Sequence, residues 1–246
     1  MLPLQTTVVS RHPPVVTWVL IAFNALFFYF ELQMSPESLE RFTYLFGIVP
    51  ARYTHPEWAA RVGFPIDEYW PFLTSMFLHG GWAHIIGNMW TLWLFGQHVE
   101  DRMGPFRFLS FYLLCGISSG LVHTWINADS TVPAIGASGA IAGVMGAYLV
   151  MFPTSRVIVM IPIFIFPLLF EFLAVFYLGY WFFLQLISGM ATRIAMPEAG
   201  GIAFWAHIGG FVTGLLIFGL FLRPGGERRA PYPDEGTYEH GWMAFR

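Results

Sequence analysis

Four residues that lie far apart in the chain have the types needed for acyl transfer: Ser138, His207, His84 and Asn88. A serine hydroxyl is a weak nucleophile until a neighbouring base takes its proton. His207 in its neutral form could do so and later return the proton to a leaving amine. The tetrahedral oxyanion needs donors aimed at it, which the Ser138 backbone N–H at a helix start, the Asn88 amide and the His84 ring could supply. His84 and Asn88 are four residues apart, so one helical face carries both. No acidic residue stands in an obvious position to orient His207, and a Ser-His dyad is expected rather than a triad.

Each residue also has a plainer use. Asn88 could join two helices, His84 could sit at an interface, and His207 could serve a buried carbonyl. The stretch IGASGAIAGVMGAYL, residues 135–149, places Gly139 and Gly143 on one stripe and Ser138, Ala142 and Gly146 on another. Such small-residue stripes let a second helix approach closely. His207 is followed by Gly210 and Gly214, so the imidazole shares a smooth face that could pack on the Ser138 helix and bring the two side chains together. His79, His84 and His207 could be drawn as a metal site, but there is no HExxH pattern and no acidic ligand among them, so no metal and no cofactor are expected. Cys115, the single cysteine, excludes an intrachain disulfide and reads as a small buried apolar residue.

The elements that must position these groups are membrane spans. The 246 residues are 56% hydrophobic and 11% charged, with a mean hydropathy of +0.59, far too apolar for a soluble domain of this length. The formal charge of −3 gives no reason to expect nucleic acid as a partner. With about 20 apolar residues needed per crossing, six spans are expected: about Val15 to Leu32, Trp82 to His98, Phe106 to Ile126, Ala137 to Phe152, 170 to 190, and Ile202 to Leu222. Residues 157–169, with Pro162 and Pro167, are too short for a further span and are assigned to the interface. The fold class is therefore all-α, a polytopic six-helix membrane bundle.

The chain divides into an N-terminal tail (1–14), a membrane domain (15–222) and a polar tail (223–246). Six spans put both termini on one side. That side would carry Arg11, Arg102, Arg107, Arg156, Arg223, Arg228, Arg229 and Arg246, against Arg41, Arg52, Arg61 and Arg193 on the other, so both termini are expected in the cytoplasm. Ser138 then lies toward the outer face. A hydrolase in lipid also needs a polar path to its serine, and about Ser188 to Gly201 is the expected mobile cap.

Four blocks in order, HGGWAHIIGN (79–88), VEDRMG (99–104), GASGAIAG (136–143) and AHIGGFVTG (206–214), resemble the rhomboid family of intramembrane serine proteases. The resemblance covers about Tyr69 to Leu222. It implies Ser138 as nucleophile, His207 as base, and His84, Asn88 and the Ser138 N–H as oxyanion donors. It implies a six-helix core with a water-filled cavity open to the outer side, transmembrane proteins as substrates, the lipid bilayer as surroundings, and a bacterial cytoplasmic membrane as location. Non-catalytic client binding and, further off, transport are the rival functions. Two departures stand out: Pro71 follows Trp70 where many relatives have arginine, and Ala142 stands where many carry an aromatic. The second implies that His207 is held differently here.

Overall fold

The computed structural model describes residues 2–65, 67–163, 166–195 and 203–223. The chain begins with β1 (Leu2–Thr6) and α1 (Val15–Glu31), then four short helices: α2 (Pro36–Phe46), α3 (Pro50–Thr54), α4 (Pro56–Arg61) and α5 (Pro71–Thr74). Each of the four takes a proline in its first turn, where the missing N–H removes nothing. There follow α6 (Trp82–Met103), α7 (Pro105–Ile126), α8 (Ser138–Met151), β2 (Arg156–Ile163), β3 (Phe166–Leu173), α9 (Ala174–Ala195) and α10 (Phe204–Phe221).

Helices α1, α6, α7, α8, α9 and α10 lie in the six segments expected to span. By length and apolar character α7, α9 and α10 suffice to cross a membrane, whereas α1 and α8 are apolar but have 17 and 14 residues. At 1.5 Å per residue α8 reaches only about 21 Å. It is the centre of the protein: every residue from Gly139 to Tyr148 is buried, with α6, α7 and α10 packed around it. Large apolar side chains such as Trp18, Phe23, Trp125, Phe176 and Leu216 point outward instead, as suits a protein whose solvent is lipid.

The all-α expectation is corrected by a three-stranded antiparallel sheet, ordered β1-β2-β3. Pro162 and Pro167 would break a helix, and here they pair with each other across β2 and β3, while Val157 and Val159 alternate into the core. β1 pairs with β2, so residues 2–6 join the folded body from a distance of about 150 residues. Because β3 continues to Leu173, the fifth long helix starts at Ala174 rather than near 170.

The VEDRMG block is a structural joint. Pro14 provides no side-chain cap for α1, and the Glu100 carboxylate takes that place: it accepts from Val16 N, Thr17 N and Thr17 Oγ1, each at 2.8 Å. Asp101 accepts from the His12 backbone N–H and contacts its ring at 2.6 Å. Gly104, at φ +81°, makes the turn from α6 into α7.

The long first connection is tied down by Arg52, whose side chain is fully buried. It donates to the carbonyls of Leu45 and Pro65 and meets Glu68 at 3.3 Å. With Pro71 unable to play a cationic part, a guanidinium 19 positions earlier anchors this loop. The Ile48–Ala134 bridge then fastens the loop to the segment leading into α8.

Candidate active site

Glycine decides how close the helices come. A methyl on Gly210 or Gly214 of α10 would be driven into the main-chain oxygen of Gly139 or Gly143 of α8, and one on Gly146 into that of Phe211. The two smooth stripes therefore pack backbone to backbone, as their spacing suggested. This contact brings His207, on the first turn of α10, to Ser138, the first residue of α8: His207 Nε2 lies 2.8 Å from Ser138 Oγ.

Ser138 stands where the first N–H groups of a helix have no partner within it, and no side chain caps α8. The approach is shaped by Gly136 at φ +124°, a conformation that L side chains rarely adopt. A Cβ there would also lie 2.6 Å from His84 Nε2 and 3.6 Å from Asn88 Nδ2. Both groups from α6 thus face the turn two residues before the serine. The Gly80 N–H points to His84 Nδ1 at 3.4 Å, which leaves Nε2 of the neutral ring as the N–H that faces Gly136.

Asn88 is held in turn by His79, whose Nε2 lies 3.0 Å from Asn88 Nδ2 and, facing an amide nitrogen, accepts from it. Burial, helped by the charge of His84, pushes the His79 imidazole down to about 4, so it remains a neutral acceptor at ordinary pH. The His79 backbone N–H donates to the carboxylate of Glu31, at the end of α1, 3.2 Å from each oxygen. His79, raised from the sequence only as a metal ligand, is thus the support of Asn88. Its place immediately before the first glycine pair of HGGWAHIIGN was the available signal.

Two side chains of α9 also meet the His207 ring. Gln185 Oε1 lies 2.8 Å from His207 Nδ1, and the Trp181 ring stands 5.9 Å from the imidazole, tilted by 34°. The two residues are one turn apart, and Gln185 meets the imidazole at the nitrogen that does not face Ser138. Ala142, fully buried in α8, offers it no ring. Sequence reasoning passed over Gln185 and Trp181, although a lone amide in an apolar helix is the kind of side chain that a membrane segment rarely carries without a partner.

A cavity of about 30 Å³ adjoins the serine, lined by Ser138, Ser75, Ser119, His123 and Ala206 among others. That is room for about one water molecule with polar partners on several sides. Of the expected cap, residues 196–201 lie outside the described residues, as does the tail from 224 onward.

The Rhomboid domain family model matches residues 67–224. Among curated proteins, the chain is 31% identical over 141 residues to the Bacillus subtilis protein named "Putative rhomboid protease YdcA", covering 57% of this chain and 64% of that one. It is 30% identical over 159 residues to RHOMBOID-like protein 4 of Arabidopsis thaliana, covering 64% of this chain and 36% of the relative. The human presenilin-associated rhomboid-like protein, mitochondrial, is 31% identical over 157 residues, with 59% and 36% covered. The chain thus spans less than two thirds of the length of each of these relatives.

Proposed function

We propose that this chain, which belongs to the rhomboid family of integral membrane proteins, is a serine endopeptidase that hydrolyses peptide bonds in or near the transmembrane segments of other proteins. The observation that carries the reading is the 2.8 Å approach of His207 Nε2 to Ser138 Oγ at the start of a buried helix. In the reaction, Ser138 Oγ bonds to the scissile carbonyl carbon while its proton passes to His207 Nε2. The negative charge on the carbonyl oxygen is met by the Ser138 N–H and the side chains of His84 and Asn88. The C–N bond breaks as the imidazolium returns the proton to the amine. A water molecule, deprotonated by the same imidazole, then releases the acyl group and restores the hydroxyl.

The bundle is read as six spans, with both termini in the cytoplasm of a bacterial cell and Ser138 toward the outer face. That α8 is short supports this geometry, because a 14-residue helix enclosed by longer ones ends below the membrane surface and leaves room above its first residue. The deciding experiment is labelling with a fluorophosphonate in detergent alongside cleavage of a single-span substrate in proteoliposomes. The parent should label and cleave; Ser138→Ala should do neither, and His207→Ala should lose cleavage to the same degree, since the pair acts as a unit. Folded Ser138→Ala that still cleaves would end the assignment.

A further inference from the structure

A base that works through Nε2 must keep its proton on Nδ1, and a neutral imidazole free in a cavity has no reason to stay in that form. Here the neighbouring amide selects it. Gln185 Nε2 faces the Trp181 carbonyl at 3.5 Å. A carbonyl can only accept, so the amide nitrogen belongs on that side and the amide oxygen on the side of His207. That oxygen, 2.8 Å from His207 Nδ1, can likewise only accept. The proton is then on Nδ1, and the Nε2 lone pair is directed at the Ser138 hydroxyl, which donates to it.

We propose that Gln185, braced by Trp181 one turn before it on α9, is the positioning residue for His207, fixing both the tautomer and the plane of the ring. The inference rests on the reading of His207 as the base. It has a structural corollary: nucleophile and base stand on α8 and α10, which are locked by glycine, but the orientation of the base is set from α9. α9 meets α10 through side chains, with Phe182 stacked on Phe211 at 4.7 Å and Trp181 at 5.9 Å from the same ring. Seating of α9 is thereby a condition for a competent dyad.

The test compares Gln185→Met, which keeps the bulk and removes the acceptor, with Gln185→Glu, which keeps the acceptor and adds charge. The other imidazoles whose charge reaches His207 are those of His84 and His123, unchanged in every variant. Gln185→Met should lower both kcat and the rate of fluorophosphonate labelling about tenfold, the usual worth of one neutral hydrogen bond, with KM within about twofold. Gln185→Glu should retain turnover near the parental value above neutral pH. Its acidic limb should move upward, because a carboxylate beside Nδ1–H favours the imidazolium.

A merely structural glutamine predicts the opposite pattern: the buried charge harms at least as much as the apolar isostere, and the limb stays in place. Parental labelling rates in folded Gln185→Met, or an unmoved limb in Gln185→Glu, would overturn the proposal. Should Gln185→Met fail to fold, the limb of Gln185→Glu decides. A parent that does not label, or Ser138→Ala that does, would mark failure of the enzyme reading itself, and the positioning role would fall with it.

Discussion

A single methyl group added to α10 tests whether the glycine contact sets the distance between His207 and Ser138. In Gly210→Ala the new Cβ collides with the main-chain oxygen of Gly139, and neither side has a flexible side chain to move. Carbon and carbonyl oxygen need about 3.3 Å, so the helices must part by more than about 1 Å. The His207–Ser138 hydrogen bond is 2.8 Å long and stops being one beyond about 3.5 Å, a margin of about 0.7 Å. Gly210 lies three residues from His207, about 4.5 Å along the axis, so most of the displacement reaches the ring. A misplacement of this size costs about 10²-fold in rate, and the overpacking costs about 1–3 kcal/mol in stability. Gly214→Ala makes the same collision with Gly143 about 10 Å from the base, and should lose comparable stability but less activity. Gly219 is the control on the same helix: a Cβ there meets nothing within 4 Å, so Gly219→Ala should behave as the parent. The assay is substrate cleavage in proteoliposomes together with thermal unfolding in detergent. Parental activity in Gly210→Ala, or equal losses in all three variants, would refute the view that backbone contact positions the dyad.

If His84 and Asn88 serve as proposed, as donors to charge that develops only in the transition state, Asn88→Ala and His84→Ala should each lower turnover by about 10²–10³-fold with little change in KM. Both should still react slowly with a fluorophosphonate; full turnover per folded molecule with a large fall in melting temperature would make them structural. Glu100→Ala removes the three hydrogen bonds at the start of α1 and should lower stability by about 2–3 kcal/mol. Glu100→Gln should recover part of it, and unchanged melting of Glu100→Ala would contradict the capping role. His79 gives a pH dependence: its folded value is pushed from 6.5 down to about 4, so the unfolded chain binds the proton first. Its share of stability is fully present above about 6.5 and is lost as pH falls toward about 4. Between those limits melting of the parent should fall more steeply than that of His79→Gln, and parallel curves would disprove it.

What could be read from the chain alone was what depends on local spacing. Apolar runs of span length, prolines that end them, and glycines at three- and four-residue intervals on two segments are periodic features, and a helix turns each into a face. The pairing of Ser138 with His207 followed from those faces, because only two smooth surfaces can bring backbones so near. His84 and Asn88 were readable for the same reason, being one turn apart.

What tertiary structure decided were the contacts between elements that have no periodicity in common. Val157 and Val159 show an alternation once paired, but their partner strand lies at residues 2–6, and nothing in either segment specifies the other. Pro162 and Pro167 set residues 157–169 apart from the spans without showing that they would pair as a hairpin. Gln185 was visible as a polar residue in an apolar helix, yet its rotation about α9 depends on how Phe182 and Trp181 pack against Phe211. A helix fixes which residues share a face, and only packing chooses which face turns inward. For that reason the approach of His207 to Ser138 was legible in the sequence, whereas the amide and the indole beside His207 were not.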